Sequence, residues 1–247
     1  METGSFAPQE LADFVTANGS QFDVFNANIS WIKSTLNRGI FATRGTSQRL
    51  GVDIALPGSG LEYYKMTYSG QHLRKLYRGL TLKLRADLGY GESYGDTTQM
   101  PFFKNFYGGG FGSVRGFKRN TLGPQDTPCN LLDPPCSSAF FDDPDPIGGN
   151  VQIEFGAEVI FPLPFIEDQR SVQSTFFFDA GNIFNTKCGD SQVNCFKPDA
   201  GELRYSVGVG ATWLSGFGPI TFSLSKPLNS NEFDETEVFQ FSLGNQF

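Results

Sequence analysis

Four sets of residues in this 247-residue sequence could carry chemistry. The first is Gly108-Gly109-Gly110-Phe111-Gly112-Ser113-Val114-Arg115-Gly116-Phe117, which sets five glycines and one arginine between aromatic residues. Glycine admits positive φ and close backbone approach, so this run is suited to a narrow berth. The Arg115 guanidinium carries five donors in a rigid fork, and among apolar neighbours it needs carboxylates or carbonyls. The second set is the cysteines, spaced Cys129-x6-Cys136 and Cys188-x6-Cys195 in segments rich in Pro, Asn, Asp and Gly. Zinc sites use shorter spacings and usually recruit histidine, whereas this chain has a single histidine, His72. Disulfides closing small loops in an oxidising compartment fit better. Four cysteines allow three connectivities. The two local pairs are expected, with free buried thiols as the alternative.

The third candidate is His72 itself, which with a carboxylate or serine could serve a hydrolase. Its neighbours Leu73, Arg74 and Lys75 predict a solvated turn instead, and no catalytic residue is expected. The fourth is the carboxylate group Asp142, Asp143 and Asp145 in a Pro-rich loop, which could hold Ca²⁺ but shows no ligand register. The expectation is therefore no enzyme, no metal site and no cofactor.

Composition narrows the class further. A net charge of −7 and a pI near 4.8 argue against a nucleic-acid partner, whose phosphates demand a basic face. The cluster Arg74, Lys75 and Arg78 is too short to reverse that and reads as a solvated turn. Aromatics make up 15% of the chain, with 26 Phe, yet no apolar run reaches the length of a transmembrane helix. A β-barrel stays open, because its strands alternate and need only about ten residues each. The start, Met1 to Ser5, lacks a basic and then apolar leader, so an exported protein is expected to begin elsewhere.

The positioning elements follow from periodicity. Residues 7–18 predict one short amphipathic helix within a loop region, residues 1–21, and make it a surface element. From Phe22 the period becomes two. Phe25, Ala27, Ile29 and Trp31 oppose Asn26, Asn28 and Ser30, and the same alternation recurs around Val52, Met66, Leu84, Phe155, Phe178, Val209, Phe222 and Phe241. Glu158 and Asp179 fall on the polar side. About nine strands result over residues 22–247. Connections alternate between short turns and long polar loops, above all the loop 91–149. Both cysteine pairs are on the long-loop side. Tyr63, Tyr64, Tyr90, Trp31 and Trp213 near strand ends suit interfacial girdles, and for any one of them ordinary packing is an equally good explanation. The pattern predicts an all-β fold, an antiparallel transmembrane β-barrel.

The run Met100-Pro101-Phe102-Phe103-Lys104-Asn105-Phe106-Tyr107-Gly108-Gly109-Gly110, followed by Ser113-Val114-Arg115-Gly116-Phe117, resembles the BamA family of outer-membrane protein assembly barrels. So do Tyr63-Tyr64-Lys65, Phe178-Asp179-Ala180-Gly181, Gly218-Pro219 and the aromatic C-terminus. The likeness spans Phe22 to Phe247. The Val-Arg-Gly-Phe element alone is also shared by two-partner secretion transporters and translocation-assembly barrels.

The resemblance implies a Gram-negative outer membrane location and a role in folding and inserting outer-membrane proteins. A two-partner secretion or translocation pore is the alternative. Members carry periplasmic POTRA domains before a sixteen-stranded barrel, so the chain reads as the C-terminal part of such a barrel. The implied partners are nascent outer-membrane proteins, the outer-membrane bilayer and, through POTRA domains absent here, accessory lipoproteins. The resemblance also implies that the glycine-rich loop folds back into the lumen, where Val114, Arg115, Gly116 and Phe117 latch against Glu158 and Asp179. A C-terminal strand, residues 238–247, with Phe239, Phe241, Leu243, Gly244 and Phe247, would form half of a lateral seam and carry the insertion signal. An exposed strand edge there could template an incoming hairpin.

Overall fold

The computed structural model describes residues 8–127, 144–163, 171–188, 192, 195–216 and 218–244. One short helix, α1 (Gln9–Asn18), precedes nine strands: β1 (Asn26–Ser34), β2 (Gly45–Ala55), β3 (Tyr63–Lys75), β4 (Thr81–Ser93), β5 (Val151–Phe161), β6 (Val172–Phe184), β7 (Arg204–Ser215), β8 (Gly218–Pro227) and β9 (Phe239–Leu243). They form a single antiparallel sheet in strict sequence order, with β1 and β9 at its two ends. Apart from the short β9, the strands are near the length a tilted membrane span needs.

Polarity in this sheet is reversed relative to a water-soluble sandwich. One face carries exposed apolar side chains, among them Ile29, Trp31, Leu84, Phe155, Phe176, Phe178, Phe222, Phe239 and Phe241. The other face holds much of the buried polar inventory, including Glu154, Asp179, Ser206, Ser223 and Gln240. Such an arrangement is stable when the outer face meets hydrocarbon and the inner face encloses polar contents. No helix among the described residues is long and apolar enough to cross a membrane, a fact that concerns helices only.

Short connections join β1–β2, β3–β4, β5–β6 and β7–β8 at one end. The long ones, β4–β5 and β6–β7, leave from the other, together with β2–β3 and β8–β9. The β6–β7 connection is closed by a Cys188–Cys195 disulfide, with Cα atoms 5.8 Å apart. Cys129 and Cys136, together with Asp142 and Asp143, lie outside the described residues.

Two expectations are corrected, for α1 and His72, and one open alternative, for Tyr63, is decided. Helix α1 is not a surface element: Phe14 is 1% exposed and packs with Ala55, Leu61 and Tyr63 at the long-loop end, with edge-on contacts to Phe22 and Phe102. Tyr63 belongs to that cluster rather than to a girdle, because its odd position in β3 faces inward; its hydroxyl donates to Asn26 Oδ1 at 3.2 Å. His72 is not in a turn. It sits within β3, paired with Thr46 and Leu84, because β3 runs on to Lys75 and the turn begins after it.

Candidate functional site

The glycine-rich loop lies against the inner face of the sheet, and its local geometry explains its glycines. Gly109 has φ +99°, and a Cβ there would collide with the Lys118 carbonyl. Gly116 has φ +94°, with Ser225 and Pro227 only 3.3–3.4 Å from where its Cβ would stand. Side chains at these points would either strain the backbone or push the loop off the wall. Val114, Phe117 and Leu122 are fully buried and form a small apolar cluster that gives the loop its own core.

Arg115 projects from this loop onto β5 and β6. Its Nε donates to Asp179 Oδ2 at 2.7 Å and its Nη2 to Asp179 Oδ1 at 2.9 Å, a two-pronged pair, while its backbone N–H reaches Oδ2 at 3.2 Å. The same Nη2 donates to Glu158 Oε1 at 2.8 Å. The guanidinium carbon stands 3.6 Å above the centre of the Phe177 ring, a cation–π contact. Burial works against the Arg115 charge, but the bonds and charges of Asp179 and Glu158 outweigh it and hold its pKa above the ordinary arginine value. Lys83 Nζ, 3.3 Å from Glu158 Oε2, supplies that carboxylate with a second cation.

The loop is held at further points that periodicity did not single out. Arg85 on β4 donates to the carbonyls of Gly112 and Ser113. The Ser113 hydroxyl donates to Glu154 and accepts from the Gly109 N–H at 2.7 Å. On the opposite flank, Gln240 Nε2 of β9 donates to the Phe117 carbonyl at 2.7 Å, and the Glu237 N–H donates to the Gly116 carbonyl at 2.9 Å. Lys118 and Glu235 add an exposed ion pair at 2.6 Å. The loop therefore bridges the acidic β5–β6 wall and the segment leading into the last strand. Lys83, Arg85, Glu154, Phe177 and Gln240 all fall on the inward-facing side of the alternation, but nothing in the sequence marks them as partners of the loop.

Strand β9 is shorter than the expected 238–247. Five residues pair with β8, from Leu224↔Phe239 to Ile220↔Leu243. Phe239, Phe241 and Leu243 face outward, between 50% and 63% exposed, while Gln240 and Ser242 are buried inward. Phe241 packs against Phe222, with ring centres 5.2 Å apart. Gly244 follows the strand with φ +91°, where regular strand geometry ends, and its N–H donates to the Pro219 carbonyl at 2.8 Å. Phe247 lies outside the described residues. The arrangement holds ion pairs and hydrogen bonds that fasten a loop, and among the described residues the outer edge of β9 has no strand partner.

A family model described as the Omp85 superfamily domain matches residues 4–247. The sequence is 34% identical, along its whole length, to the outer membrane protein assembly factor BamA of Neisseria meningitidis serogroup B, of which it covers 33%. It is 26% identical to a SAM50-like protein of Drosophila melanogaster, over 84% of this chain and 42% of that one. Its fold is similar to the crystal structure of BamA from Haemophilus ducreyi lacking POTRA domains 1–3. The TM-score is 0.82 at 28% identity, covering 95% of this chain and 47% of that one. The chain thus spans between a third and a half of the lengths of these relatives.

Proposed function

The chain belongs to the Omp85 superfamily, and from that premise we propose that it is the C-terminal part of a barrel that folds and inserts outer-membrane proteins. The sheet is the membrane-spanning part of an outer-membrane β-barrel, and its similarity to proteins named as assembly factors supports the assembly role. Its clients are nascent outer-membrane proteins, and its surroundings are the lipids of the outer membrane. Accessory lipoproteins would be reached through POTRA domains upstream of this segment.

The observation that carries the reading is the loop bridge. Val114, Arg115, Gly116 and Phe117 are fastened to Glu158 and Asp179 on one side and to Gln240 of the last strand on the other. In this reading Arg115 is a structural latch, and the unpaired edge of β9 is half of a lateral seam. An exposed edge offers free N–H and C=O groups to an incoming hairpin. Five paired residues and a following glycine make the end of that strand easy to separate.

The test is complementation in cells depleted of the full-length protein, together with insertion of a client barrel into liposomes by the purified protein. Loss of client insertion when the β9 edge is crosslinked shut is expected. A large steady conductance with no effect on client assembly would overturn the reading in favour of a transport pore.

A further inference from the structure

The outward face of β2 to β6 contains a groove of about 450 Å³, to which Arg85 also contributes although its guanidinium donates to the loop. Its floor is made of small residues, Gly70, Ala86 and Ala157, on three adjacent strands, and Leu84, Phe155 and Phe178 rise around them. The Tyr68 ring lies over Gly70, its hydroxyl where a Gly70 Cβ would stand. An apolar slot of this kind fits acyl chains.

One end of the groove is polar although it faces outward. Thr46 and Gln48 line it from β2 and His72 from β3. His72 Nδ1 is 2.8 Å from Thr46 Oγ1, and no hydrogen bond to its Nε2 is present among the described residues. Polar atoms facing lipid require partners. The depth of these groups says which. His72 is three residues from Lys75, the end of β3. That is about 10 Å along the strand, and less in height because barrel strands tilt. The short-turn end of such barrels is periplasmic, so the polar end sits at the headgroup level of the periplasmic leaflet.

The charges there are of one sign. Lys33, paired with Gln48, shares the outward parity of Ile29 and Trp31, and Arg74 shares that of His72. Both are exposed, as is Arg44 beside the start of β2. Among the described residues, the outward positions of β1 to β5 carry one carboxylate, Glu92, at the long-loop end. In a chain of net charge −7, this is a local reversal.

We propose that the groove binds one anionic phospholipid of the periplasmic leaflet. Its acyl chains would lie on Gly70, Ala86 and Ala157, and its phosphate would meet His72, Gln48, Lys33 and Arg74. The inference rests on the sheet spanning the membrane and is independent of the assembly role. Native mass spectrometry of the full-length protein tests it, with phosphatidylglycerol and phosphatidylcholine of identical acyl chains added in equal amounts. Wild type retains phosphatidylglycerol in preference by about fivefold or more, given the attraction of each basic residue for an anionic lipid surface. The Lys33→Gln/Arg74→Gln variant retains the two lipids about equally. Ala157→Phe, which fills the floor from the lipid side, retains several-fold less of both. Heat-modifiable gel mobility reports folding of each variant, and client insertion by the variants stays at the wild-type level. Equal retention of the two lipids by wild type, or unchanged retention in both variants, overturns the proposal. A lipid-free dimer abolished by Ala157→Phe also overturns it and assigns the groove to a second copy of the chain.

Discussion

Arg115 and Asp179 form a two-pronged ion pair, 2.7 and 2.9 Å, between a loop and a strand 64 residues apart in sequence, with the Asp179 side chain wholly removed from solvent. Breaking such a pair from one side leaves a buried charge without compensation, which costs about 3–5 kcal/mol. Arg115→Ala should therefore lower the temperature of heat-modifiable unfolding and open the loop to protease. Arg115→Lys should rescue little, since an ammonium cannot reproduce the fork. Wild-type protease resistance in Arg115→Ala would refute the latch.

Gln240 joins the loop to the last strand through the Phe117 carbonyl. Gln240→Leu leaves that buried acceptor unsatisfied, at a cost of about 1–3 kcal/mol. The expected result is faster cleavage of the loop near Phe117 and easier separation of β9, read by crosslinking across the β8–β9 pair. A double-mutant cycle with Arg115→Ala should be non-additive, because both hold the same loop. Additive losses would show that the two anchors act independently.

Gly116→Val places a branched side chain at φ +94°, against Ser225 and Pro227. The left-handed backbone alone costs about 1–2 kcal/mol for an L-residue. Loop protection should fall although every ion pair keeps its chemical groups. Protection equal to wild type would mean that the loop tolerates a shift away from the wall.

Reduction of Cys188–Cys195 should act locally. A ring this small constrains little of the unfolded chain, about 2–3 kcal/mol in the loop-entropy account. Proteolysis within residues 185–203 should rise under reductant, while the heat-modifiable mobility of the barrel stays unchanged. Collapse of that mobility would show that the β6–β7 loop supports the sheet itself.

The period-two alternation was enough to assign strands, and it separated an outer apolar face from an inner polar one, since neighbouring side chains in a strand point to opposite faces. It placed Glu158 and Asp179 on the polar face, while the five donors of the Arg115 guanidinium, among glycines and aromatics, called for carboxylates or carbonyls. Parity also favoured packing for Tyr63, whose odd position in β3 faces inward, but a tyrosine near a strand end suits a girdle equally well. His72 was misread because Leu73, Arg74 and Lys75 have the composition of a turn, while pairing across three strands extends β3 through them.

What the sequence by itself determined is the class of fold, the sidedness of each strand and the need of Arg115 for a counter-charge, all of which depend on local spacing. Only the tertiary structure decided which inward positions the loop touches. The Phe177 ring beneath Arg115 and the amide of Gln240, 123 residues beyond Phe117, meet the loop because of strand register and sheet curvature, and those arise from pairing along the whole sheet.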